Sequence, residues 1–210
     1  MLFRSGGVMF YDPRLNDHNL PRDPYKSLIV PRPIGWISSI SGDGVVNLAP
    51  YSFFNGVSTN PAVVMFAPGG SKRKDSLINI EATGEFVVNL ATWDLREQMS
   101  ASSVSAPPEV DEFEYAGLTP TASKLVKPPR VAESPVHLEC VFTKTVELLA
   151  EEPDDQNVVV FGKVVGIHIA DRAIVNGKVD TAGLQPIGRL GYDEYVRVAE
   201  TFSMGRPTWP

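Results

Sequence analysis

Cysteine is nearly missing: Cys140 is the only one in 210 residues. A disulfide within the chain is therefore impossible, and so is a cysteine-rich zinc centre. Such usage suits a reducing cytosol. No run of about 18 apolar residues occurs, so no transmembrane helix is expected. Residues 1–8 lack the apolar core of a signal peptide. Positive charge is scarce too: 19 Lys+Arg stand against 25 Asp+Glu, a net charge of −6. A protein that coats nucleic acid needs a basic surface, which disfavours that class but leaves room for a basic pocket holding one small anion. The expectation is a cytoplasmic protein with neither nucleic acid nor membrane as partner.

Catalytic signatures are also lacking. There is no Gly-x-Gly-x-x-Gly, so a Rossmann dinucleotide site has no support. Gly69-Gly70-Ser71-Lys72 lacks the spacing of a phosphate loop. His18, His137 and His168 stand apart from one another, and no metal site is expected. No Gly-x-Ser-x-Gly elbow marks an α/β-hydrolase. No catalytic side-chain set is left to nominate. That fits a protein whose cofactor carries the chemistry while the chain supplies binding and orientation.

Proline, by contrast, is abundant: 18 residues, about 9% against ~5% in average proteins. Many turns and few long helices should follow. Residues 1–24, with Pro13, Pro21 and Pro24, read as an irregular arm, and 25–210 as one domain. Asp23-Pro24 should open a short helix that ends by Val30. Strands are expected over 34–41 and 45–57, with Asp43-Gly44 at the turn between them, and over 62–67. A helix over 74–83 should stop at Gly84, followed by a strand over 85–91 and a short helix over 93–100. Residues 102–108 read as a Ser/Pro/Ala loop and 119–135 as irregular. From Val136 to Leu148 apolar residues alternate with Glu139, Thr143, Thr145 and Glu147, the mark of a half-buried strand. Residues 151–157 form a polar turn into 158–169, which is apolar on both faces and should be central. Asn176-Gly177 marks a further tight turn. Strands come first, one or two helices intervene, and long strands follow. A mainly β, closed or nearly closed antiparallel barrel fits this order better than a doubly wound sheet.

Four segments carry candidate chemistry. Ser71-Lys72-Arg73-Lys74-Asp75-Ser76 places three cations at a helix N-terminus, where free N–H groups and the dipole favour an anion such as a mononucleotide phosphate. A solvated basic turn explains the same residues, since charge runs are usually surface. Asn47-Leu48-Ala49-Pro50-Tyr51-Ser52-Phe53-Phe54-Asn55 mixes small residues, which let a flat ring approach the backbone, with aromatics that can wall a pocket. Taken alone, it also reads as an edge strand with aromatics in the core. Arg32-Pro33-Ile34-Gly35-Trp36-Ile37-Ser38-Ser39 offers two hydroxyls for a sugar-like chain or for solvent, with Trp36 as core. Arg189-Leu190-Gly191-Tyr192-Asp193-Glu194-Tyr195 offers Arg189 to a phosphate or carboxylate. Cys140, on an apolar strand face, reads as an inert buried thiol.

In their joint order these segments resemble the flavin reductase-like family, and most of all its flavoredoxin-type branch. Lys74-Asp75-Ser76 with Asn79-Ile80, Thr83-Gly84-Glu85-Phe86-Val87-Val88-Asn89, Asp111-Glu112-Phe113, Ser134-Pro135 and Arg189-Leu190-Gly191 extend the match over most of Tyr25 to Tyr195. The resemblance implies a six-stranded antiparallel Greek-key split barrel, working as a homodimer with FMN (or FAD) near the subunit interface. It implies that Ser38, Ser39, Asn47, Ala49, Pro50, Tyr51, Ser52, Phe53, Phe54 and Asn55 contact the flavin ring and ribityl chain. Arg73, Lys74, Asp75 and Ser76 would lie at its phosphate, and Arg32, His168, Arg189 and Tyr195 are rim candidates. The implied activity is hydride transfer from NAD(P)H to flavin, in some cases feeding a partner monooxygenase. The alternatives are an FMN-bound electron carrier, a flavoenzyme in which Tyr51, Tyr195 or His168 polarises an organic substrate, and a small-molecule binding barrel without redox chemistry.

Overall fold

The computed structural model describes residues 7–152 and 155–209. The first six residues of the arm, Pro153 and Asp154 of the expected 151–157 turn, and the final residue lie outside them. Residues 7–24 contain no helix or strand. The first helix is Tyr25–Leu28, with Pro24 rather than Asp23 at its N-cap; the Asp23 carboxylate accepts from the Tyr25 N–H at 2.9 Å in the turn before it.

The main sheet consists of β1 (Gly35–Ile40), β2 (Val46–Tyr51), β3 (Phe54–Thr59), β4 (Ala62–Phe66), β5 (Glu85–Leu90), β6 (Val136–Glu147) and β7 (Val158–Ile169). Its seven strands are antiparallel in the order β2-β1-β5-β6-β7-β4-β3. The run expected as one strand over 45–57 is thus two. The chain bends at Ser52–Phe53, and its halves pair at opposite ends of the ladder, β2 with β1 and β3 with β4. Because only two residues separate them, the two outermost strands are tied together and the sheet curls into a barrel. Gly35 permits the closure: a Cβ there would lie 2.6 Å from Phe54 Cδ2.

Two cores follow from period-two alternation on β1. Trp36 points to one, with Leu48, Met99 and Phe113. Ile37 points to the other, with Phe66, Phe86, Leu77 and Ile80. The last two come from helix α1 (Asp75–Thr83), which ends where expected: Gly84 adopts φ +77° and donates its N–H to Ile80 O. Asn176 and Gly177, both with positive φ, form the expected turn between Ile174–Val175 and Lys178–Val179.

Three expectations fail in instructive ways. Glu139, placed on the solvent face by alternation, is wholly buried. The 119–135 segment covers that face, and its Lys124 and Leu125 N–H groups donate to the carboxylate at 2.7 and 2.6 Å. That segment is not wholly irregular, since Pro120–Thr121 pairs with Arg130–Val131. β7 is central only in its first half, because β4 pairs it over Val160–Lys163 alone. Beyond that, Ile167 is 60% exposed.

Candidate functional site

A cleft of about 620 Å³ opens where β2 meets the start of α1. That volume suits a ligand of mononucleotide size. One wall is Asn47 with Ala49, Pro50 and Tyr51; another is Lys72 to Ser76. The loop 102–108 and Glu112 close the third side. No side chain caps α1, so its first N–H groups are left for a ligand or water. Arg73 is drawn away to pair with Glu81. Lys72 and Lys74 have no carboxylate partner among the described residues.

A buried polar network forms the floor. Ser76 Oγ donates to Asn47 Oδ1 at 2.7 Å. Having spent its proton there, Ser76 accepts from the Tyr51 hydroxyl at 3.0 Å. Asn47 Nδ2 and the Leu48 N–H both donate to Glu112 Oε2 at 3.1 Å. Burial pushes the Glu112 carboxyl up from its ordinary range, against these hydrogen bonds. Burial likewise pushes the Tyr51 phenol up to about 12, so it remains a neutral donor at physiological pH.

A second hollow, about 410 Å³, adjoins the first and shares Pro50 and Ser103 with it. Arg22, Lys26, Arg32, Ser52, Arg189, Tyr192 and Tyr195 line it. Arg32 is 5% exposed, and its guanidinium is engaged by backbone carbonyls: Nη1 donates to Ile29 O and Nη2 to Leu190 O, each at 2.8 Å. Burial, then Arg189 nearby, lowers its affinity for the proton. Arg32 therefore ties the Tyr25–Leu28 helix to the 189–190 segment more than it offers free donors. Arg189 stacks on the Tyr195 ring at 4.5 Å and donates to the Tyr195 hydroxyl.

The two clefts bring together Asn47, Ala49, Pro50, Tyr51, Ser52, Arg73, Lys74, Asp75 and Ser76, with Arg32, Arg189 and Tyr195 at the rim. The remaining candidates lie elsewhere. Ser38 and Ser39 are wholly buried beneath the cleft. Ser38 Oγ donates to Pro129 O at 2.5 Å, and Ser39 Oγ to Asn47 Oδ1 at 3.3 Å. Their β1 is covered on both faces, and both hydroxyls are engaged by protein partners. Phe54 packs on Gly35, Asn55 turns its amide to the Gly56 N–H, and Phe53 sits 5.8 Å from Arg32. His168 lies far along β7, with its Nε2 at 2.5 Å from Glu139 Oε1. Cys140 is buried, and burial pushes its thiol up, which makes it inert. Sequence reasoning missed the 102–108 wall, Lys26 and Glu112 as site residues. The run Ser102-Ser103-Val104-Ser105, polar beside a predicted short helix, was the signal available.

The family model described as Flavin reductase like domain matches residues 27–183. A protein of Aquifex aeolicus is 43% identical over 174 residues, covering 81% of this chain and 86% of its own. The crystal structure of nitrilotriacetate monooxygenase component B from Bacillus cereus is 31% identical with a TM-score of 0.86, covering 95% of this chain and all of that one. The 2-nitrobenzoate 2-nitroreductase of Pseudomonas fluorescens is 29% identical with a TM-score of 0.78, covering 88% and 89%. The chain belongs to the flavin reductase-like family, and its architecture is the split barrel of that family.

Proposed function

We propose that this family member binds FMN in the first cleft and reduces flavin with NAD(P)H, passing the reduced flavin or its electrons to a partner such as a monooxygenase. The observation that carries the reading is the union of an uncapped helix N-terminus, two lysines without a carboxylate partner among the described residues, and a buried hydrogen-bonding floor in one cleft. The donor set fits the cofactor. Lys72, Lys74 and the first N–H groups of α1 would take the phosphate. The backbone of Ala49 to Tyr51 would meet the flat ring, where Pro50 and Ala49 present little bulk. Held there by these residues, flavin would supply the two-electron acceptor for a hydride from NAD(P)H.

The chain's own part is positioning and electrostatics. Tyr51 and Ser76, locked by Asn47 and Glu112, hold the floor rigid. Lys26 and Arg189 in the second hollow would attract an anionic reductant beside the ring. Likeness to a monooxygenase component B supports the choice of partner. The same reading carries residues 25–210 as the flavin domain with an arm before it, a cytoplasmic location, and a homodimer. The outer strand β3, exposed from Asn55 to Thr59, supports the dimer.

The test is the visible spectrum of the purified protein, followed by anaerobic addition of NADH or NADPH with excess FMN. Flavin bands that bleach rapidly support the reductase. Bands that persist point to a carrier awaiting another reductant. A colourless protein that does not take up FMN ends the proposal.

A further inference from the structure

The groove does not stop at the second hollow. A third, about 240 Å³, shares Met99 and Tyr195 with it. Three hollows therefore run in series from Lys74 to Arg197. The third is built around Trp93, 38% exposed. Its indole ring carries two guanidiniums: Arg96 lies 4.1 Å from the ring centroid and Arg197 4.8 Å. The arrangement is held in place. The Trp93 N–H donates to Gln185 O at 2.9 Å, and Arg96 Nη1 donates to Trp93 O at 2.8 Å. Met99 and Ile187 add apolar surface.

Neither arginine is neutralised fully. Glu97 is the one carboxylate lining the hollow, 3.4 Å from Arg96 and 78% exposed. Arg197 has no carboxylate partner among the described residues. Two guanidiniums against one carboxylate leave the hollow with a net positive charge. Stacked arginine and tryptophan give a flat surface for an aromatic base. The guanidinium edges give forked donors for a phosphomonoester.

We infer that this hollow receives a phosphorylated adenosine, with Arg96 and Arg197 on its ribose phosphate, and that the protein therefore takes NADPH in preference to NADH. The inference rests on the reading of NAD(P)H as reductant given above. The nicotinamide end then lies toward Pro50 and Ser103, the pyrophosphate toward Lys26 and Arg189, and the adenosine beyond Tyr195.

The test is calorimetric titration of the FMN-loaded protein with adenosine 2′,5′-bisphosphate, adenosine 3′,5′-bisphosphate and 5′-AMP, in the native chain, Arg197→Gln and Arg96→Gln. The 2′,5′-bisphosphate should bind at least tenfold more tightly than either of the others. Each substitution should remove about tenfold of that advantage, as expected for one charge-assisted contact. The same variants should raise the KM for NADPH by a larger factor than the KM for NADH, which lacks the phosphate, and leave the FMN affinity unchanged. Equal binding of the two bisphosphates, or a preference that survives both substitutions, overturns the inference. Failure to bind FMN at all would instead remove the flavin reading, and the same titrations on the free protein still decide the adenosine site.

Discussion

Two buried carboxylates, each anchoring a polar cluster, titrate in opposite directions. Glu112 lies under the first cleft, and Glu139 stands on β6 against the loop of Lys124 and Leu125. Glu112 receives the Leu48 N–H and Asn47 Nδ2 on one oxygen and a further bond from its own N–H, yet burial dominates, so its carboxyl is raised. Burial would raise Glu139 as well. Donation from Lys124 N–H, His168 and Leu125 N–H outweighs it, and the carboxyl is lowered. Burial and hydrogen-bond donation oppose one another at both carboxylates, and the balance falls one way at Glu112 and the other way at Glu139. The Glu139 cluster closes on itself and fastens a loop to the sheet. The Glu112 cluster lies beside an open cleft.

The sharpest way to separate the two regions is Lys72→Ala with Lys74→Ala. Losing two charge-assisted phosphate contacts, ~1.5–3 kcal/mol each, should weaken FMN by about two to four powers of ten. Stability in urea should stay within about 0.5 kcal/mol. Unchanged FMN quenching would break the assignment of the cleft. Glu139→Ala should do the reverse. It strips the partner from Lys124, Leu125 and His168, and about 3 kcal/mol of unfolding free energy should be lost, with flavin affinity retained in the folded fraction. A flavin effect as large as the stability effect would erase the contrast.

His137, whose ring lies 5.9 Å from that of His168 beside the closed cluster, predicts a pH response. His137 is buried with Nδ1 unpaired, and burial holds its imidazole below the ordinary 6.5. The unfolded chain then takes up a proton before the folded one does. Stability is full above about pH 6.5 and falls, by about 1 kcal/mol per pH unit, as the pH drops below it. His137→Phe should flatten that slope between pH 7 and 5.5 in urea titrations, and an unchanged slope would clear His137 of the effect. The smallest effect belongs to Asp75→Asn. The carboxylate of Asp75 competes with a phosphate for the same helix terminus, so its removal should tighten FMN about two- to fivefold. Weaker binding would mean that Asp75 itself holds the ligand.

The site was legible where local chemistry decides. Lys74 to Ser76 opening a helix, the Gly84 stop and the small residues around Pro50 could all be read from neighbours in the chain. Burial decided by distant segments could not. Ser38 and Ser39 read as accessible hydroxyls because nothing local shows that β1 is covered on both faces. Glu139 read as solvent-facing because alternation does not reveal a loop arriving from residues 124 and 125. The break at Ser52–Phe53 was hidden inside one apolar run, since the pairing that splits it involves β1 on one side and β4 on the other. The 102–108 wall shows only as polar loop composition, and its role comes from where β2 meets α1.

The bend at Ser52–Phe53 has a mechanical consequence. It is the seam at which the sheet is stitched into a cylinder, and Pro50 and Ser52, on its near side, line the clefts. A ligand seated there braces the bend that joins the two outermost strands of the sheet. Occupancy should therefore be felt as slower amide exchange along β2 and β3 together, two strands at opposite ends of the ladder that share only those few residues of chain.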